Sequence, residues 1–262
     1  MKILAVGCGG AGSNIVRNLN GISKVLVNTD SDSDIRMVPE NVRGTGGDSL
    51  IGRALAEDYE KSIDSLLTGY DSVIVAAGLG GGTGTGMAPL ISQRARSLGA
   101  RCVAFVCLPM VFEGRRPAAK DALRELVSFS DRIFVMDLER VGTGDASFEE
   151  LLKKADVLAG DAVLRISEML RGPFFSLFSE KVYTISVTDG GLNREAFLEA
   201  VSSPLFEADP AYGKIIIQTD GESYRKKDEV FSEVGSITGI LPEIIESGRP
   251  GTYVFIPVSS LF

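Results

Sequence analysis

The chain contains no histidine among its 262 residues, and this absence removes several kinds of chemistry at once. Ser-His-Asp and Cys-His nucleophiles and all histidine-ligated metal sites are excluded, because each of them needs an imidazole. Cysteine is almost as scarce. The three cysteines, Cys8, Cys102 and Cys107, cannot close a disulfide framework, so we expect a cytoplasmic protein in a reducing compartment.

Two further absences narrow the possible partners. No apolar run is long enough to cross a membrane and no signal-peptide pattern follows Met1, so direct membrane insertion is not expected. An excess of positive charge is also missing. The net charge of −8 argues against a nucleic-acid partner bound through bulk charge.

Strand-like and helix-like stretches alternate through the first half of the chain, which is the pattern of a parallel, doubly wound sheet. The predicted strands are KILAVG, SKVLVNTD, DSVIVAAG, RCVAFVCLP and DRIFVMD. Helices are predicted between them at GSNIVRNLN, from about Leu50 to Leu67, at MAPLISQRARSL and at PAAKDALRELVSF. Pro89 is expected in the first turn of the third of these helices.

The second half begins with a long amphipathic helix, predicted from Ser147 to about Leu170, with Ser147 and Glu150 as a capping box. Shorter strands and helices follow. The sequence therefore predicts an α/β fold in three parts. These are a Rossmann-like parallel-sheet domain (residues 1–146), a central helix (147–171) and a reduced, mixed α/β C-terminal domain (172–262).

Three glycine-rich loops follow predicted parallel strands: GCGGAGSN, RGTGG and GLGGGTGTG. Open α/β sheets bind ligands at the carboxyl ends of their strands, and a glycine loop that enters a helix offers backbone N–H groups to an anion. The first loop alone fits a tight turn as well as a phosphate site. The third has three consecutive glycines before Thr83, more than an ordinary turn needs. Together the loops predict a di- or triphosphate ligand.

The class of nucleotide is narrowed in part by a missing motif. No G-x-x-x-x-G-K-[ST] sequence occurs, which excludes the P-loop NTPases. A Rossmann oxidoreductase would use the first glycine loop, with Asp30 at the end of the second strand as its ribose ligand. That alternative stays open, but it leaves the run GGGTGTG without a role.

The run GGGTGTG, Gly80 to Gly86, resembles the signature of the tubulin/FtsZ family, and other segments extend the similarity. VGCGGAGSN, VNTD and RGTGGDSLIGR resemble the family's first three phosphate loops, and FEGRR resembles its ribose-side loop. ADVLAGDAVLRIS resembles the central helix, and SSPLFE a C-terminal segment. The first two thirds of the chain are covered closely and the rest loosely, as in a short, divergent FtsZ-like protein.

The resemblance implies roles for individual residues. Glu113 would accept hydrogen bonds from the ribose with Arg115 nearby, and Asp156 would accept from N1–H and the 2-amino group of guanine. The implied phosphate-binding residues are Gly9, Gly10, Ala11, Asn14, Gly46, Gly47, Gly80, Gly81, Gly82, Thr83, Gly84 and Thr85. The implied ligands are GTP and GDP, with Mg²⁺ held through the phosphates. The implied partner is the chain itself in a head-to-tail filament, or a related FtsZ.

Several positions depart from the family. Leu138 stands where the family has an asparagine and Leu152 where a phenylalanine packs on the base, so nucleotide affinity is expected to be lowered. In the loop RGPFFSLFSEKV, Leu177 replaces the first of the acidic residues that the next subunit supplies for hydrolysis. Glu180 occupies the second acidic position, which makes Glu180 the catalytic candidate.

The function expected from the sequence is therefore that of a polymerising, cytoskeletal GTP-binding protein with reduced GTPase activity. A GTP-binding but catalytically weak regulator of a true FtsZ is the first alternative, and a Rossmann oxidoreductase is the second. Three local questions stay open. PFFSLF fits either a docking surface or core packing, Cys8 fits a small filler better than a thiolate, and Arg116 is expected to be solvated.

Overall fold

The computed structural model describes residues 1–29, 33–37, 44–141, 147–188, 193–210, 212–239 and 241–259. Its strands are β1 Ile3–Cys8, β2 Ser23–Asn28, β3 Ile35–Arg36, β4 Ser72–Gly78, β5 Arg101–Leu108, β6 Arg132–Asp137, β7 Val182–Thr188, β8 Ile216–Asp220, β9 Glu243–Ser247 and β10 Thr252–Pro257. Its helices are α1 Gly9–Arg17, α2 Ser49–Asp58, α3 Glu60–Leu67, α4 Thr83–Ser97, α5 Arg116–Phe129, α6 Phe148–Arg171, α7 Arg194–Ser202, α8 Gly221–Tyr224 and α9 Lys227–Thr238. Within these ranges, no helix combines the length and the apolar character that a membrane span requires.

One mostly parallel sheet of ten strands organises the described chain, in the order β3-β2-β1-β4-β5-β6-β7-β10-β8-β9. The strands from β1 to β6 pair only in parallel, which confirms the predicted α/β fold. These strands are nearly continuous apolar runs because helices bury both of their faces. β10 is antiparallel to both β7 and β8, so the C-terminal part is mixed, as predicted.

The C-terminal strands continue the first sheet. β7 pairs in parallel with the start of β6, where Val182 lies opposite Ile133. An aromatic cluster packs at this junction, with ring centroids 4.9–6.1 Å apart among Phe134, Phe178, Tyr183 and Phe255. The run PFFSLF therefore serves mainly core packing, since Phe175 and Phe178 are buried and Phe174 is the exposed one. The division of the chain into three domains stays a prediction.

The long helix α6 connects the first part of the sheet to the C-terminal strands. Its capping box forms as predicted, with Ser147 Oγ accepting from the Glu150 N–H at 3.3 Å and Glu150 accepting from the Ser147 N–H at 2.8 Å. Farther along, the fully buried Arg165 donates to Asp161 at 2.8 Å and lies over the Tyr253 ring of β10, 4.2 Å from its centroid. α6 is thus tied to the C-terminal strands by a charged network.

Two helix predictions were wrong in their boundaries. The helix predicted from about Leu50 to Leu67 is divided at Tyr59 into α2 and α3. α4 begins at Thr83, earlier than predicted, so Pro89 lies inside the helix and not in its first turn. The two short strands β3 and β9 were not predicted at all.

Helices approach the sheet and one another at glycine. A Cβ on Gly12 of α1 would overlap the carbonyl oxygen of Ala76 in β4, and a Cβ on Gly86 of α4 would overlap the carbonyl oxygen of Ser49 in α2. From the α2 side, a Cβ on Gly52 would lie 2.5 Å from the Gly82 carbonyl oxygen. Part of the glycine run is therefore required by backbone packing, independently of any ligand.

We predict that Gly86→Ala destabilises the protein by about 1–3 kcal/mol, because the added methyl forces α4 away from α2. The matched control is Gly10→Ala in α1, where a Cβ would meet no atom within 4 Å. The free energy of unfolding, measured in urea, should fall in the first variant and not in the second. Equal stabilities would show that α2 and α4 can separate without loss.

Candidate functional site

A cavity of about 400 Å³ opens at the carboxyl ends of the central parallel strands. Its walls come from the ends of β1, β2, β4 and β5, from the first turns of α1 and α4, and from the first residues of α6. Nine of the predicted site residues line this cavity: Gly9, Gly10, Ala11, Gly81, Gly82, Thr83, Gly84, Glu113 and Arg115.

Two helices begin at the cavity and touch each other there. α1 begins at Gly9 and α4 at Thr83, and the first N–H groups of a helix have no partner within it. Gly9 has a φ of +69°, and a Cβ on it would lie 2.7 Å from the backbone nitrogen of Gly84. The positive ends of two helix dipoles therefore converge, an arrangement that suits an anion with two or three phosphates.

Three threonine hydroxyls meet beside these helix starts. Thr83 Oγ1 lies 3.2 Å from Thr29 Oγ1 and 3.5 Å from Thr45 Oγ1, and all three residues are buried and line the cavity. A hydroxyl can donate or accept, so the cluster can contact phosphate oxygens as well as a cation. Thr29 and Thr45 were not among the predicted site residues.

The remaining loop residues brace the cavity without lining it. Gly46 and Gly47 have positive φ values of 62° and 87°, and they form a turn closed by a hydrogen bond from the Asp48 N–H to the Thr45 carbonyl at 3.0 Å. Gly80, with φ +95°, donates its N–H to Thr85 Oγ1 at 2.8 Å. These contacts hold both loops in shape.

One face of α6 points toward the cavity. Phe148, Leu152 and Asp156 are spaced four residues apart and so share that face, and the first two line the cavity. Asp156 is half-buried beside it. Burial raises the pKa of the Asp156 carboxyl, and a hydrogen bond with the Asn14 side chain offsets part of this rise. Asn14 and Asp156 are therefore brought together, adjacent to the cavity wall.

Phe148 is a site residue that the sequence reasoning missed. Its side chain is 47% exposed, and its ring packs edge to face on Phe112 with the centroids 5.7 Å apart. The pair presents aromatic surface at the mouth of the cavity. The spacing Phe148, Leu152 and Asp156 on a predicted helix was the signal that could have identified it.

The acidic and basic residues at the rim are already paired. Glu113 accepts from the Met110 N–H at 2.8 Å and forms an ion pair with Arg115. Arg116 donates to the buried Asp137 at 2.5 Å, so the expectation that Arg116 is solvated is wrong. That contact fixes the start of α5 to the end of β6.

Two thiols form part of the cavity wall. Cys8 and Cys107 both line it, and both are buried. Burial strongly raises the pKa of each thiol, so the proton stays on the sulfur at neutral pH. The reading of Cys8 as a small filler is therefore confirmed, and the thiolate reading is wrong.

Glu180 lies at the opposite edge of the sheet from the cavity. It precedes Val182, which pairs with Ile133 near the start of β6, whereas Leu138 of the cavity follows the end of β6. β6 is about 17 Å long at about 3.3 Å per residue. One chain therefore does not bring its own Glu180 to its own cavity. Asp30, the ribose ligand of the oxidoreductase alternative, lies outside the described residues.

We predict that Asp156→Asn stabilises the empty protein at neutral pH. A raised pKa in the folded state means that the ionised carboxylate opposes folding, so wild-type stability falls as pH rises above 3.8, the ordinary aspartate value. Asparagine does not ionise, so the variant does not lose stability in this way, and its amide oxygen can still accept a hydrogen bond from Asn14. Its advantage in thermal unfolding should grow from pH 4 to pH 7, whereas the exposed Asp121→Asn should show no such trend. An advantage that is independent of pH would contradict the prediction.

Residues 20–142 match the model of the family described as Tubulin/FtsZ family, GTPase domain. The chain is 32% identical over 241 residues to the Cell division protein FtsZ 1 of Pyrococcus furiosus. That match covers 79% of this chain and 64% of the relative, so the chain spans less than two thirds of the relative's length.

Two solved structures are similar over nearly the whole chain. An empty FtsZ dimer from M. jannaschii has a TM-score of 0.79 and 26% identity, over 97% of this chain and 86% of that one. A GTPγS-bound CetZ2 protofilament from Haloferax volcanii shares the fold, with a TM-score of 0.80 and 18% identity, over 100% of this chain and 94% of that one. The match to the family model and the 32% identity to the Pyrococcus furiosus protein show that the chain belongs to the tubulin/FtsZ family.

Proposed function

We propose that the chain is a cytoplasmic, cytoskeletal protein that binds GTP and GDP in the cavity and assembles head to tail. GTP would be hydrolysed where the cavity of one subunit meets the next subunit. The observation that carries this proposal is the contact between the two glycine-rich helix starts, Gly9 against Gly84, above a cavity large enough for a nucleotide.

In this proposal each part of the nucleotide has its own side of the cavity. The phosphates lie at the starts of α1 and α4, where N–H groups and threonine hydroxyls are available. The ribose lies near Glu113. The carboxylate oxygen that accepts from Arg115 would also accept a hydrogen bond from a ribose hydroxyl. The guanine lies on the α6 face, between the ring of Phe148 and the carboxylate of Asp156.

Mg²⁺ fits the phosphate end of this site. It prefers oxygen ligands and usually keeps several waters, with few ligands from the protein. Among the described residues, no group of three histidine, cysteine, aspartate or glutamate side chains could hold it. Phosphate oxygens with the hydroxyls of Thr29, Thr45 and Thr83 would therefore bind the ion, which neutralises phosphate charge when bound.

Hydrolysis in this proposal needs two subunits, because Glu180 and the cavity lie at opposite edges of one sheet. In a head-to-tail pair, the Glu180 edge of one copy faces the cavity of the next. The relatives support self-association, since one solved structure is an FtsZ dimer and another a CetZ2 protofilament. Glu180 would polarise the attacking water, with Leu177 in place of a second acid.

Two alternatives remain testable beside this one. A catalytically weak regulator of a true FtsZ is favoured by Leu177, which leaves fewer acidic groups for hydrolysis. A Rossmann oxidoreductase would leave the start of α4 at the cavity without a ligand to bind. Identification of the nucleotide extracted from the purified protein separates them, because NAD in place of GDP or GTP would exclude the tubulin-like function.

We predict that GTP turnover per subunit rises with protein concentration and that Glu180→Gln lowers it by about 100-fold, as expected when a group that activates water is lost. GTP binding should be unchanged, because Glu180 lies far from its own cavity. Phosphate release and nucleotide affinity measure the two effects. The exposed Glu195→Gln on α7 is the control. Turnover that does not depend on concentration would contradict the two-subunit site.

We also predict that Phe148→Leu weakens GTP binding by about 2- to 12-fold, because aromatic packing contributes about 0.5–1.5 kcal/mol beyond the area that it buries. Phe148→Tyr should bind like the wild type, since the ring is kept. Phe231→Leu changes a ring on α9 that is 38% exposed, against 47% for Phe148, and serves as the control. Equal affinities in all of these variants would show that the base does not contact Phe148.

A further inference from the structure

The edge of the sheet opposite the cavity carries several basic side chains, although the chain as a whole has a net charge of −8. We call this edge the tail face. The basic side chains around the amino ends of the strands include Lys2, Arg96, Arg101, Arg132, Arg171, Lys181 and Lys214. Acidic residues lie there as well, among them Asp71, Asp131, Glu180, Asp209 and Glu243. Burial and the nearby Arg96 lower the pKa of Lys181, as expected where positive charges are crowded.

A groove of about 520 Å³ lies within the tail face, between the amino ends of β5 and β6 and the segment 172–176. The tail groove is lined by Arg101, Asp131, Arg132, Gly172, Pro173, Phe175 and Ser176. Arg132 is engaged inside the fold, where its Nε donates to the Phe178 carbonyl at 2.7 Å. Asp131 is engaged as well, since its carboxylate accepts from the Cys102 N–H at 2.7 Å.

Arg101 differs from these neighbours. It is exposed at the start of β5, and its guanidinium carbon lies 5.1 Å from the centroid of the Phe175 ring, which holds it in the tail groove. Within the described parts of the chain, its guanidinium makes no hydrogen bond and no ion pair. It therefore presents five N–H donors to whatever enters the groove. A planar guanidinium with free donors matches the oxygens of a phosphate.

We propose that, in the head-to-tail pair, Arg101 of the tail groove contributes its guanidinium to the phosphates held in the cavity of the next copy. The proposal rests on the proposed function, because it needs a nucleotide in the cavity and a second copy on it. The opposite charges of Arg101 and of the phosphates carry it. A bound triphosphate makes the cavity end strongly negative, and the groove at the other end of the same sheet supplies an unpaired cation.

The loop that lost an acidic residue also lies in this groove region. Leu177 brings no charge to the contact, whereas Arg101 brings a positive one. In the hydrolysis, the water oxygen bonds to the γ-phosphorus and the bond to the β–γ bridging oxygen breaks. The electron pair leaves on GDP, and the water proton passes to a carboxylate or to solvent. Arg101 forms and breaks no bond in this step. It stabilises the charge on the phosphate oxygens, as an arginine supplied in trans does for other nucleotide hydrolases.

The first experiment compares charge reversals in the full-length chain. Arg101→Glu should lower GTP-dependent sedimentation and reduce turnover per subunit at least about tenfold, since the loss of an arginine supplied in trans is large. GTP affinity at low protein concentration should stay unchanged. Arg124→Glu makes the same charge change on an exposed position of α5 and should match the wild type. Arg101→Lys should recover sedimentation more than turnover, because an ammonium lacks the planar fork.

The second experiment tests whether Arg101 acts in trans. Gly10→Glu places a carboxylate at the phosphates without a steric clash, since a Cβ at Gly10 meets no atom within 4 Å. This variant loses nucleotide binding and keeps an intact tail face, whereas Arg101→Glu keeps an intact cavity. A mixture of the two impaired variants should hydrolyse GTP several times faster than the sum of the separate rates, because one intact tail face then meets one intact cavity.

Three results would overturn the inference while leaving the proposed function in place. These are an Arg101→Glu protein with wild-type assembly and turnover, equal losses in Arg101→Glu and Arg124→Glu, and a mixture no faster than the sum of its parts. Arg101-dependent binding of the wild type to duplex DNA or to anionic vesicles, without GTP-dependent assembly, would assign the groove to another anion and overturn it too. A wild type that binds no GTP would instead refute the proposed function itself.

Discussion

The rest of the structure depends on the direct approach of backbone to backbone at glycine. α1 lies on β4 at Gly12, and α2 and α4 meet at Gly52 and Gly86, at distances that leave no room for a Cβ. Because α1 lies so close to the sheet and α4 so close to α2, the starts of α1 and α4 reach the same point above the strand ends. The constraint that packs the first part of the chain therefore also concentrates N–H donors in one cavity. The glycines that pack the helices, Gly12, Gly52 and Gly86, thus position the glycines that line the cavity.

The parallel sheet could be predicted because buried parallel strands are continuous apolar runs with polar or glycine boundaries. The start of α4 could not be predicted from the sequence. Glycine and threonine are weak helix formers, so the segment from Thr83 to Gly86 does not read as a helix in the sequence, and in the structure α2 packs closely against it. The glycine loops of the site could be predicted from the sequence because of their unusual glycine content. Thr45 lies in one of these loops, but its contact with Thr83 could not be predicted, because the two residues are 38 positions apart in the sequence and meet only in the folded chain.

α6 is a single rigid element that contacts two regions of the molecule. At one end, Phe148 and Asp156 face the cavity, and near the other end Arg165 is buried against the ring of Tyr253. A buried guanidinium is tolerated only when its charge is balanced, and Asp161 balances it from the preceding turn. A displacement of α6 along its axis would therefore disturb the cavity and the C-terminal strands together.

The burial of every thiol has a practical consequence. Cys8, Cys102 and Cys107 lie on the two strands that flank β4 and are all buried, although Cys8 and Cys107 form part of the cavity wall. A thiol-specific reagent would reach Cys102, which does not line the cavity, only when the sheet opens, so the labelling rate of Cys102 measures local unfolding. The surface of the described chain offers no competing sulfhydryl. A single engineered cysteine would thus carry a dye or a spin label at one position, without prior removal of the native residues.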